Sequence, residues 1–247
     1  MGAKREAPAA SRGSPGGALV AALRKGLKEL GDPARARGAQ AYMKSEMPYY
    51  GVSAAPLRAL WRRVFDAHPL PSFAAWEATA LALWSGARFR EERYAAIGLT
   101  GHRLYRAHQT LAALPMYRRF LVEGAWWDYV DDVAVHRVGP LLAAYPAPMK
   151  KTLRAWAKGD DLWLRRSAII AQVLFKEETD TALLYACIAP SLGRKEFWLR
   201  KAIGWALRSY AWHDPREVAR YVKEHEGQLS GLSKREALKN VGASSKT

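Results

Sequence analysis

Trp127 and Asp131 stand four residues apart, so on a helix they share one face, an indole beside a carboxylate. They belong to the run AWWDYVDD at 125–132, which sets two tryptophans ahead of three carboxylates. One carboxylate against aromatic faces suits a positively charged transition state. A second reading makes Asp128, Asp131 and Asp132 a Mg²⁺ site for diphosphate chemistry, but no second acidic metal motif accompanies them. Asp128 also fits a plain helix-start acid favoured by the macrodipole. A second face comes from Trp198, Lys201, Trp205, Arg208 and Trp212, spaced 3, 4, 3 and 4. At helical periodicity they fall within an arc of about 80°. Cations interleaved with indoles suit a sugar-phosphate backbone. The same pattern also describes a core stripe with snorkelling cations. Arg166, three residues after Trp163, reads either as a partner for Asp131 or as a phosphate ligand, and the net charge favours phosphate.

That charge is large: 39 Lys+Arg against 23 Asp+Glu in 247 residues, or +16. It points to polyanionic partners, nucleic acid before membrane. Six scattered histidines lack ligand spacing, so no metal site is expected. The single cysteine, Cys187, excludes an intramolecular disulfide. No Gly-rich phosphate loop and no nucleophilic Ser or Cys pattern is present. With no signal-peptide pattern and no apolar run of bilayer length, a soluble, cytoplasmic chain off the membrane is expected.

The elements that must position these residues are helices. Residues 1–17 read as a disordered basic tail, 18–241 as a single domain and 242–247 as a flexible end. Leu19, Ala22, Leu23, Leu27 and Leu30 form the first apolar stripe. Pro33 opens the next helix, which ends before Pro48, and Ser53 reads as the cap of a third. Further helices are expected at roughly 71–84, 88–106, 109–122, 125–138, 147–158, 160–175, 178–189, 194–212, 214–224 and 233–241, separated by Gly and Pro. Ser233 and Glu236 read as a capping box. No stretch alternates as a strand, so the fold class is all-α.

The helices also repeat. Trp163-Leu-Arg-Arg166, Trp198-Leu-Arg-Lys201 and Ser233-Lys-Arg-Glu236 are successively displaced by 35 residues, and the slot 35 before Arg166 is Asp131. A helix-pair period in the mid-thirties is the mark of an α-solenoid, whose concave wall is lined by equivalent slots. Asp131, Arg166 and Lys201 then share one wall.

Several of these runs resemble the AlkD-like alkylpurine DNA glycosylases: Trp126-Trp127-Asp128-Tyr-Val-Asp131, Trp163-Leu-Arg-Arg166, the stretch from Lys201 through Trp205 and Arg208 to Tyr210, and Leu232 through Lys239. Tyr42-Met43-Lys44 and Tyr49-Tyr50-Gly51-Val52 match more loosely. The resemblance covers about 20–241. It implies HEAT-like repeats with a concave basic face on duplex DNA, acting as a monomer without metal or cofactor on N3- and N7-alkylated purines. In the family's pattern Asp131 takes the place of the catalytic carboxylate. Trp127 and Trp205 take those of the indoles on the lesion's deoxyribose, and Arg166 that of a backbone contact. Tyr42 corresponds to an aromatic near the lesion. The Lys201 and Arg208 stripe adds DNA contacts. Asp132 sits beside the catalytic slot and leaves the register ambiguous by one. The alternative is a non-catalytic helical-repeat module that binds damaged or structured nucleic acid.

Overall fold

A computed structural model describes residues 15–241, which hold fourteen α-helices and no strand. The chain divides between Met116 and Tyr117 into two compact units.

The first unit begins with α1 (Pro15–Glu29). Gly16 and Gly17 therefore belong to a helix and not to the tail, and the rest of that tail, with 242–247, lies outside the described residues. Leu19, Leu23 and Leu27 are fully buried, whereas Leu30 falls past the helix end and is exposed. This stripe packs on α3 (Ala54–Ala67), α4 (Phe73–Ser85) and α5 (Arg90–Thr100). Ser53 occupies the cap position of α3 without a side-chain capping bond.

Glu91 and Glu92 on α5 are buried acids that the hydrophobic pattern does not foretell. Glu91 accepts the backbone N–H groups of Tyr50, Gly51 and Val52 at 3.0, 2.8 and 3.2 Å. Glu92 pairs with Arg24 at 2.8 Å. These bonds replace the water the two carboxylates lose. The loop they fix requires Gly51, whose φ is +85° and whose Cβ would meet the Asp32 carbonyl at 2.1 Å. Between α1 and that loop runs α2 (Pro33–Met43). It is capped by Asp32 at its start and by left-handed Lys44 at its end, and it buries only Met43.

The second unit contains most of α6 (Leu114–Gly124), then α7 (Trp127–Val133) and α8 (Gly139–Ala144). The Gly139-Pro140 pair, expected as a break, instead continues the helix through a π turn at Ala134–Val138. Pro140 has no N–H to bond the His136 carbonyl. That carbonyl accepts the Arg137 guanidinium at 2.7 Å, and the N–H of Gly139 reaches back to Ala134. Next come α9 (Pro146–Lys158), α10 (Leu162–Ile170), α11 (Thr181–Ile188), α12 (Phe197–Ala211), α13 (Pro215–Glu224) and α14 (Gly231–Ala237). Helix α10 is central: it packs on α7, α9, α11 and α12, and every one of its residues from Trp163 to Ile170 is buried. Arg165 within it spends its guanidinium on the carbonyls of Gly159, Lys158 and Pro190, closing the end of α9.

Candidate active site and nucleic-acid face

Three tryptophans stand at the starts of three helices, Trp126 capping α7, Trp163 in α10 and Trp198 in α12. Their ring centroids lie 5.6–6.4 Å apart, a tilted cluster that ties the three starts together. The chain reaches it through Ala125, held in the left-handed region at φ +43°. Trp126 is thus a packing residue, while Trp127, one position on, is half-buried with no ring stacked on it among the described residues.

One turn beyond each of these starts lies the charge. Asp131 of α7 receives Arg166 of α10 in a two-pronged pair, Nε on Oδ1 and Nη2 on Oδ2, both at 2.7 Å. The third prong, Nη1, donates to the Trp198 carbonyl at 2.7 Å, and the guanidinium carbon sits 5.7 Å from the Trp198 ring centroid. The Arg166 side chain is 4% exposed and that of Asp131 20%. Burial pushes the Asp131 carboxyl above its ordinary range, with the Arg166 bonds pulling back and Asp128 adding to the rise. Asp131, and not Asp132, is the carboxylate in the Arg166 register. Asp132 supports the charge of Arg137, a guanidinium whose affinity for its proton is lowered by burial.

The expected partition of Arg166 is therefore resolved within the chain. Each of its three nitrogens donates to Asp131 or Trp198, the pairing alternative, and at 4% exposure the side chain has little access to a phosphate. On α12 the half-exposed face carries Lys201, Trp205 and Arg208, with Trp212 exposed at its end, while Trp198 is drawn into the aromatic cluster. Lys201 and Arg208 both reach Glu236 of α14, at 3.5 and 2.6 Å. Tyr42 belongs to the first unit, exposed near the end of α2.

Glu236 corrects the capping-box reading. The cap of α14 is Ser230, whose side chain accepts the N–H of Ser233; Ser233 lies inside the helix and donates its hydroxyl to the Arg200 carbonyl at 2.9 Å. Glu236 is a buried counter-charge. A bond from Lys239, with Lys201 and Arg208 nearby, holds its carboxyl below the usual glutamate range. The signal for this was in the register: Glu236 follows Lys201 by 35, as Arg166 follows Asp131, and both pairs touch. In this unit two pairs of residues 35 apart, each on neighbouring helices, are in contact. Among the described residues no group of His, Cys, Asp and Glu has the arrangement of a metal site, and no helix is long and apolar enough to cross a membrane.

Residues 23–241 match the family described as DNA alkylation repair enzyme, and the chain belongs to that family. A solved structure similar to it is a predicted DNA alkylation repair enzyme from Enterococcus faecalis. The two share 27% identity over 85% of this chain and 95% of that one, with a TM-score of 0.77. Among curated proteins nothing matches.

Proposed function

We propose that this member of the family is a monofunctional DNA glycosylase that hydrolyses the N-glycosidic bond of N3- and N7-alkylated purines in duplex DNA. The observation that carries the reading is the Asp131 carboxylate, aimed by a bidentate Arg166 on the α7 face that also bears Trp127, yet still partly open to solvent. An alkylated purine is already cationic, so it departs without an acid. The C1′–N bond breaks, its electron pair neutralises the base, and positive charge passes to the sugar. A carboxylate stabilises that oxocarbenium ion, as in glycoside hydrolysis with one acid fewer. Trp127 and Trp205, both half-buried, would supply the indole faces for the deoxyribose. Water adds at C1′ and gives its proton to Asp131 or to solvent. The step calls on no metal or cofactor, and one chain suffices for it. In this reading Lys201 and Arg208 grip the duplex backbone.

The role supported for Arg166 is to aim Asp131; a backbone contact would require a side chain that is 4% exposed to become accessible. The burial of Arg166 against Asp131 also favours a second reading, in which the pair is a brace inside a non-catalytic nucleic-acid-binding module. Incubating the protein with methylated and unmodified duplex separates them. Free 7-methylguanine or 3-methyladenine released from the methylated duplex alone supports the glycosylase, and no release beyond the spontaneous rate leaves the binding module.

A further inference from the structure

Helix α12 carries Lys201 and Arg208 two turns apart, and Gly204 lies between them. A Cβ on residue 204 would come within 2.5 Å of the Glu236 Cβ and 3.2 Å of the Ser233 carbonyl. Only a missing side chain lets α14 approach this closely. The Ser233 hydroxyl bond to the Arg200 carbonyl fixes the contact. The result is a carboxylate seated beneath three cations. Arg208 Nη1 lies 2.6 Å from Oε2, Lys239 Nζ 2.6 Å from Oε1, and Lys201 Nζ 3.5 Å from the same Oε1. The side chains of Lys201, Arg208 and Lys239 are 37%, 32% and 54% exposed, that of Glu236 only 11%.

The negative charge is thus inside and the positive charges outside, for a net +2. Each cation spends one direction on Glu236 and keeps others open: among the described residues Arg208 has no acceptor for Nε or Nη2. Three other guanidiniums of the second unit are spent within the protein. Arg165 and Arg166 have all their nitrogens bonded, and Arg220 is shared between Glu217 and Glu224. Three cations gathered on one carboxylate, each with N–H donors to spare, suit the oxygens of a phosphate.

We infer that Lys201, Arg208 and Lys239 form one binding site for a DNA backbone phosphate, braced from below by Glu236. This rests on the chain binding duplex DNA, and it moves the backbone contact from Arg166 to a cluster that includes Lys239. A phosphate contact positions the duplex and carries no base information, so its loss weakens all duplexes alike. The test is fluorescence-anisotropy titration of unmodified and methylated duplexes over a salt series. The proteins are wild type, Lys239→Gln, Lys239→Arg and, as a control for charge alone, Lys158→Gln, an exposed lysine at the end of α9. Lys239→Gln is expected to weaken both duplexes several-fold by the same factor. It should also lower the magnitude of the log–log salt slope by about one. Lys239→Arg should restore most of the affinity. If Lys239→Gln matches Lys158→Gln, or if the loss is confined to the methylated duplex, the site is refuted. If wild type releases no base while Lys239→Gln still weakens both duplexes, the glycosylase reading falls and this one stands.

Discussion

Asp131 and Arg166 are each the condition for the other's burial. A guanidinium 4% exposed needs a counter-charge, and Asp131 supplies both oxygens while Trp198 supplies a carbonyl. Removing one partner strands the other, a loss of about 3 kcal/mol or more for a buried pair. The pair also sets a pH dependence. Burial raises the Asp131 carboxyl and Arg166 opposes the rise. In the proposed reaction the working form is the carboxylate, so base release should be lost as pH falls through a value above the ordinary aspartate range. Taking away the opposing cation moves that limb further up. Arg166→Gln should therefore excise slowly, with its acid limb displaced to higher pH than wild type in single-turnover pH–rate profiles. An unmoved or lowered limb would show that Arg166 does not tune Asp131. For stability the sign is reversed. A raised carboxyl binds its proton more readily folded than unfolded, so ionised Asp131 costs stability at neutral pH, and that cost fades on acidification.

At the scale of elements, the site depends on how α7 begins. Ala125 holds φ +43° at the end of α6, a region that costs a residue with a Cβ about 1 kcal/mol and glycine little. Ala125→Gly should leave the fold intact and raise the melting temperature by a few degrees at most, because glycine gives back part of the gain as unfolded-state entropy. A fall of several degrees would mean the strain is not there to relieve.

The 35-residue period was readable in the sequence because Trp163-Leu-Arg and Trp198-Leu-Arg repeat in type as well as spacing. Which residues pair across it was not, since a pairing depends on the contact between helices and not on one helix's periodicity. Ser233 and Glu236 have the spacing of a capping box, but the helix starts at Gly231, and a start shifted by two residues turns a cap into a core acid. Glu91 and Glu92 were invisible for a similar reason: their partners are backbone N–H groups and an arginine from distant segments. Pro140 looked like a stop, and only the π turn with Arg137 on the His136 carbonyl shows how the helix passes it. The all-α class was legible because it rests on local pattern.

At the scale of the whole molecule, the excess of 39 cations over 23 acids is only partly spent inside. Several exposed arginines are paired with acids on the surface, as Arg220 and Arg194 are. Lys201, Arg208 and Lys239 share a single acid, and this is where the unspent charge has structure behind it. Affinity for unmodified duplex should therefore fall steeply with salt, on the order of a thousandfold or more between 50 and 200 mM if about six or more phosphates are held. A flat response would remove the backbone grip from the proposed function. The central claim, however, is chemical and rests on Asp131. Its most direct measurement is release of free 7-methylguanine from methylated duplex under single-turnover conditions by wild type and Asp131→Asn, with duplex affinity measured alongside. The asparagine keeps an acceptor for Arg166 but not the charge. Wild type should release the base, and the variant should bind the duplex yet release almost none. A variant that excises as fast as wild type would contradict the account.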